Sequence, residues 1–275
     1  MMKIPGWKYY NHAAIPTTPP HINPDTSCVN DGTIWKIDGS PLLARWTTDF
    51  DCDYETNWWY LIKDTKFDFE DISSKNQKSI RQALKKCDVQ KIVFSENMDQ
   101  IYSCYLSAYA KYENADNMME KEQFINFCNS QEDYIEYWGG YDKESGCLIG
   151  YLMVGVFDNY VELKIAKFNP EHSNKRVSDA LYFTVLDYYL NSCSKKYVSS
   201  GARNINHKTN TQEYKIKRFG FRKAFCKLHV EYNPKVKILM RIAYPFRKVF
   251  KKLDHITFLH QVNSIFLMDE ISRQK

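Results

Sequence analysis

His207 lies in the loop Ala202-Arg203-Asn204-Ile205-Asn206-His207-Lys208, directly after a strand predicted over Tyr197–Ser200. Loops at the C-terminal ends of strands line the cleft of an open α/β sheet. Histidine is also the side chain whose charge changes near neutral pH. The placement suits proton transfer, although an ordinary polar loop histidine would read the same way. Lys175 and Arg176 stand at the start of a helix predicted over Asn174–Leu190. A helix N-terminus carries unsatisfied amides and partial positive charge, where phosphate sits readily. Two further basic clusters exist. Lys75, Lys78, Arg81, Lys85 and Lys86 belong to a helix predicted from Ser73 or Ser74 to about Cys87, and Lys78, Arg81 and Lys85 share one face. That face suits a phosphate-rich substrate such as tRNA or a nucleotide- or lipid-linked sugar, or it is simply solvated. Beyond Pro234, Lys235, Lys237, Arg241, Arg247, Lys248, Lys251 and Lys252 follow with no acid between 235 and 252. Interleaved with Ile238, Leu239, Ile242, Phe246, Val249, Phe250 and Leu253, they form a basic amphipathic tail. Such a tail lies on an anionic membrane or covers its own core.

The elements that must position these residues follow from periodicity and punctuation. Five prolines fall within residues 1–30, which predicts an extended arm without regular elements. A strand at Thr33–Ile37, an Asp38-Gly39 hairpin turn and a return strand near Leu42–Thr47 are expected next, then a strand at Asn57–Asp64. After the 74–87 helix come a strand at Val89–Phe94 and helices at about Met98–Tyr112 and Lys121–Ser130. Strands are predicted at Tyr134–Tyr141, Cys147–Val156 and Tyr160–Phe168, then the 174–190 helix and the 197–200 strand. A helix over Thr209–Phe219 and a strand over Phe221–Tyr232 close the pattern. Pro245 divides the tail into two helices.

Composition narrows the function classes. Hydrophobic residues make up 44% and charged residues 26%, so a packed core is expected. The net charge of +5 is too mild to identify a partner. The eight cysteines include no CxxC pair, and no Cys/His cluster has zinc-ligand spacing, so no metal is expected. The first residues lack the apolar core of a signal peptide, and no apolar run approaches the ~20 residues that span a bilayer. A reduced, cytoplasmic protein is the expectation, with peripheral contact at the inner membrane face if the tail binds lipid.

The order strand, two helices, three meandering strands, helix, strand, helix, strand over residues 89–232 resembles the GNAT superfamily of acyl-CoA-dependent N-acyltransferases. Phe168-Asn169-Pro170 leading into a helix and the phrase Arg218-Phe219-Gly220-Phe221-Arg222 carry the local likeness. The stretch Ser74-Lys75-Asn76-Gln77-Lys78-Ser79-Ile80-Arg81-Gln82-Ala83 is similar to the basic helix of the Fem-type aminoacyltransferases, which use a related fold.

The resemblance implies an α/β (α+β) fold: a mixed, mostly antiparallel sheet flanked by helices. The acyltransferase domain is expected over 73–232, and the residues outside it read as an N-terminal arm and β extension over 1–72 and a basic helical tail over 233–275. The resemblance also implies acetyl-CoA or another acyl-CoA as donor, a small amine or amino-sugar as acceptor, and donor pyrophosphate at the start of the 174–190 helix. Ser173, Asn174, Lys175 and Arg176 occupy that place. The family pattern there is Gln or Arg, two residues, Gly, one residue, then Gly or Ala. Ser173, Arg176 and Ser178 replace all three signature positions. Lys175 and Arg176 supply side-chain charge in return, or the loop has abandoned CoA. Asn210 approximates a donor-binding asparagine of the family, and equally a helix-start residue. Glu162 is the acid best placed to take the amine proton, although it alternates with Val161, Leu163 and Ile165 as a solvated strand residue would. The family tyrosine that protonates the leaving thiolate is Ile216 here. Tyr214, two residues earlier, is turned about 200° around the helix. Three functions stand open: N-acyl transfer from an acyl-CoA-type donor, Fem-like aminoacyl transfer from charged tRNA, and a non-catalytic relative that binds a partner or membrane.

Overall fold

The computed structural model describes residues 2–109, 118–131, 133–205, 210–253 and 256–274. The chain divides into two compact units, Met1–Tyr60 with Ala202–Thr209 and Lys223–Lys275, and Leu61–Gly201 with Asn210–Arg222.

The prolines of the first residues bound strands instead of forbidding them. β1 (Trp7–Tyr10) and β2 (Ala13–Pro16) pair antiparallel. Asn11 and His12 turn the chain between them at φ 46° and 62°. Left-handed turns of this kind match strand twist, and asparagine tolerates them. A single turn, α1 (Ser27–Asn30), follows. Residues 33–36 form a 3-10 turn instead of the expected strand, so the Asp38-Gly39 hairpin does not form. The reason is visible in spacing: Ile34 and Ile37, three apart, are both buried, and the Asp31 carboxylate accepts from the Thr33 amide at 2.8 Å.

β3 (Leu43–Thr48) pairs parallel with β2 through Ala13↔Leu43 and Ala14↔Ala44. β4 (Trp58–Lys63) runs from the first unit into the second. Then come α2 (Ser74–Lys86), β5 (Cys87–Ile92), α3 (Phe94–Tyr109) and α4 (Lys121–Asn129). Next are β6 (Ile135–Asp142), β7 (Leu148–Val156) and β8 (Tyr160–Phe168). A 3-10 turn at Pro170–Lys175 leads to α5 (Val177–Leu186) and a wide turn at Asp187–Ser192. The helix expected from Asn174 therefore starts at Val177, because Arg176 sits at φ 60°, outside helical space. β9 (Tyr197–Ala202), α6 (Thr211–Phe219) and β10 (Arg222–Tyr232) follow. β10 pairs antiparallel with β3 from Lys227↔Thr48 to Tyr232↔Leu43. The tail is α7 (Pro234–Ala243), a turn over Tyr244–Phe246, α8 (Arg247–Lys252) and α9 (Thr257–Ser272). The break at Pro245 stands as expected.

In the second unit, β5, β6, β7 and β8 form an antiparallel meander, and β9 joins β8 in parallel. Alternation along a strand separates the two faces. Tyr137, Tyr151 and Met153 pack with Ile101, Cys104 and Tyr105 of α3 and Phe124 of α4. Trp138, Gly140 and Gly150 belong to the other face, where α5 lies. A Cβ on Gly140 would come within 2.4 Å of Val177 Cγ2. One on Gly150 would come within 3.0 Å of Val177 Cγ1. Glycine at both positions lets the first turn of α5 rest directly on the sheet. The fold is thus a mixed, mostly antiparallel α/β arrangement flanked by helices.

Candidate active site

β8 and β9 pair over only three residues, Tyr160↔Tyr197, Val161↔Val198 and Glu162↔Ser199. β8 then continues to Phe168 and β9 to Ala202 with no further pairs between them in the register. Parallel strands that stop pairing while both continue leave backbone donors and acceptors for something else to satisfy. β8 also carries a bulge against β7. Met153 faces Ile165 and Val154 faces Leu163, so Lys164 is the extra residue. Bulges re-aim a strand and occur beside active sites. Past the last pair, Ser199 accepts a hydrogen bond from the Gly201 amide at 3.1 Å, and Gly201 turns the strand end at φ 81°.

One residue beyond that last pair stands Ser200, and a lysine meets it. Lys215 of α6 is only 5% exposed, and its ammonium donates to the Ser200 hydroxyl. The nitrogen also lies 5.0 Å from the centre of the Tyr182 ring. Burial penalises its charged form and pulls its pKa down to about 8. Lys215 and Phe219 are four residues apart and both buried, so the helix turns this amine inward on its apolar face. In the sequence, charged Glu213, Lys217 and Arg218 surround Lys215 and suggest a solvated stretch. Its phase with Phe219 was the available signal.

A groove of about 560 Å³ opens at the N-terminal end of α5, lined by Gln82, Lys86, Ser173, Asn174, Arg176, Ser178, Asp179, Tyr214 and Arg218. Ser173, Asn174, Arg176 and Tyr214, all singled out from the sequence, therefore share one groove. The Arg176 guanidinium donates to Ser79 Oγ of α2 at 2.6 Å. Lys86 donates to the Asn174 carbonyl at 3.3 Å. Lys175 is turned to the β6–β7 turn, where it pairs with Asp142 at 2.9 Å and with Glu144. These partners raise the Lys175 pKa, Glu144 most. Lys175 in turn lowers the Asp142 carboxyl to about 2, with help from Ser145.

Asp179 fills the first turn of α5 with the protein's own negative charge and is 3% exposed. It accepts from the Tyr214 hydroxyl at 2.5 Å and faces Arg218 Nε at 3.4 Å. Burial and this carboxylate push the Tyr214 pKa up strongly. Tyr214 is thus held as a donor to Asp179. Glu162 lies on β8 at the last residue paired with β9, and its carboxylate meets Lys164 at 3.1 Å. Asn210 is the residue before α6, and its carbonyl accepts from the Tyr214 amide at 2.8 Å. His207 lies outside the described residues. No group of three or more His, Cys, Asp or Glu among the described residues could hold a metal ion. No helix among them is long and apolar enough to cross a membrane.

No family model matches the sequence. No curated protein matches it either. Solved structures match in fold. FemX superposes with a TM-score of 0.55 at 7% identity, over 78% of each chain. L-PGS from Bacillus licheniformis gives 0.53 at 9% identity, over 98% of this chain and 85% of that one. The C-terminal domain of a putative lysylphosphatidylglycerol synthetase from Agrobacterium fabrum gives 0.52 at 12% identity, over 86% and 84%. The chain shares its overall fold with these three proteins.

Proposed function

We propose that this chain is an acyltransferase that moves an aminoacyl group from the ester of a charged tRNA to an amine acceptor. The observation that carries the reading is the Lys215 amine, buried beside Ser200 where β8 and β9 have ceased to pair. An amine with a pKa near 8 gives up a proton more readily than an ordinary lysine, and catalytic acids work best near the operating pH. In the reaction the acceptor nitrogen attacks the acyl carbonyl, a C–N bond forms and the C–O bond to the donor breaks. Lys215 passes a proton to the leaving oxygen and recovers one from the acceptor nitrogen. It supplies, from the position before Ile216, the proton that the GNAT resemblance assigns to a tyrosine.

The donor follows from the tip of α5. A diphosphate needs close main-chain approach and a free positive helix end. Here Arg176 replaces glycine and Asp179 already occupies the first turn. The cations instead lie on exposed side chains of α2, namely Lys78, Arg81 and Lys85, next to the groove residues Gln82 and Lys86. A phosphate-rich polymer suits that face. The likeness of the 74–83 stretch to the basic helix of Fem-type aminoacyltransferases supports the same donor class. Acyl-CoA is the second reading, favoured by Lys86, Arg176 and Arg218 outnumbering Asp179 around the groove.

Two titrations separate them. Bulk charged tRNA is expected to bind with an affinity that falls steeply with salt, while acetyl-CoA gives no heat in calorimetry. Heat with acetyl-CoA and no tRNA binding would replace this donor with the second one. No response to either would remove the enzyme reading.

A further inference from the structure

The two helices after β10 keep part of their apolar surface for the outside. α7 half-buries one side: Val236 and Met240 pack against the cluster of Ala13, Leu43 and Tyr232, as do Ile265 and Met268 of α9. Its other side shows Ile238, Leu239 and Ile242, which fall within an arc of about 100° on a regular helix. These three are 61%, 64% and 64% exposed, and Phe246 and Val249 follow at 59% and 57%. They are the five most exposed large apolar side chains among the described residues, and they fall within one short stretch of chain. The sequence left open whether this stretch covers its own core. Its two apolar sides answer that separately, one packed and one bare.

The charge along the stretch itself has one sign. Lys235, Arg241, Lys248, Lys251 and Lys252 are exposed, and no acid occurs from 235 to 252. Lys237 and Arg247 are paired with Glu231 at 2.6 Å and Glu270 at 3.0 Å, which are anchored outside the stretch. A protein-docking face has a rim of mixed polarity. Bare apolar side chains interleaved with five exposed cations, which outnumber the neighbouring acids Asp31, Glu231 and Glu270, match the boundary between acyl chains and anionic headgroups.

We propose that α7, the turn at Pro245 and α8 dock on an anionic lipid bilayer. Ile238, Leu239, Ile242, Phe246 and Val249 enter the headgroup–acyl boundary, and the exposed cations sit at the level of the lipid phosphates. This surface is independent of the transfer site, so either can fail alone.

The test is co-sedimentation of the full chain with vesicles of phosphatidylcholine carrying about 30% phosphatidylglycerol, against phosphatidylcholine alone. Binding to the anionic vesicles is expected to be at least about tenfold stronger and to weaken at about 0.5 M salt. The pair Ile242→Glu with Phe246→Glu is expected to abolish it without moving the thermal midpoint, since both side chains are exposed. The triple change Lys248→Glu, Lys251→Glu, Lys252→Glu leaves the apolar side intact and is expected to lower binding about tenfold or more. Equal binding to both vesicles, no binding to either, or binding indifferent to both variants would overturn the proposal. So would a dimer in sedimentation velocity that the Ile242→Glu, Phe246→Glu pair dissolves, with no vesicle binding, because the face would then belong to a second copy of the chain.

Discussion

Lys215 of α6 hydrogen-bonds to Ser200 of β9, one residue past the Glu162↔Ser199 pair at which β8 and β9 stop pairing. A buried amine costs stability, and under the proposed function this one offsets that cost by transferring a proton. The consequences can be measured separately for stability and for transfer.

Replacing Lys215 with methionine keeps the stem and removes the charge. The folded state holds the amine near pKa 8, against 10.5 for the ordinary group. Below pH 8 both folded and unfolded chains carry the proton, and burial opposes it in the fold. As pH rises from 8 to 10.5 the folded amine releases its proton first, so its penalty fades. Lys215→Met is therefore expected to be more stable than the wild type by about 2 kcal/mol at neutral pH, after allowing for the unpartnered Ser200 hydroxyl. The difference should shrink toward pH 10.5, as followed by denaturant unfolding at several pH values. The same variant should lose transfer by about 100-fold.

Tyr214 is expected to matter for stability more than for chemistry. Tyr214→Phe removes a hydrogen bond to the buried Asp179 carboxylate and should cost about 1–3 kcal/mol. Transfer by the folded variant should stay within a few-fold of the wild type. Normal stability with abolished transfer would instead give Tyr214 the proton role.

Gly140 sets how closely α5 lies on the sheet. Gly140→Ala places a methyl group within 2.4 Å of Val177 Cγ2, and the helix must move. A loss of about 1–3 kcal/mol is expected, because overpacking forces backbone shifts. Thermal unfolding of the variant measures it.

The Lys175–Asp142 pair adds an acid-side dependence. Asp142 is held at about 2, against an ordinary 3.8. Its contribution is complete above 3.8 and is lost as pH falls toward 2. The thermal midpoint of Asp142→Asn should therefore fall less steeply than that of the wild type across this range.

The fold was legible where periodicity and punctuation agreed. The meander from β6 to β8, α2, and the break at Pro245 stand close to where the residues predict them. Two of the errors share a cause, residues in left-handed conformations. Asn11 and His12 make a hairpin among prolines, and Arg176 cuts a helix whose apolar pattern runs straight through. The groove residues Ser173, Asn174, Arg176 and Tyr214 were legible because a helix start is written locally. Lys215 was not, since a lysine between charged neighbours reads as solvated until Ser200 is known to face it. The exposure of Ile238, Leu239 and Ile242 was equally hidden, because an amphipathic pattern does not say which apolar side finds a partner.

The most direct test is the ionisation of Lys215 itself. In protein labelled at lysine Cε, the resonance missing from Lys215→Met identifies the residue, and its shift is followed against pH. The structure predicts a midpoint near 8. A midpoint near 10.5, as for a solvated lysine, would contradict a buried amine poised beside Ser200.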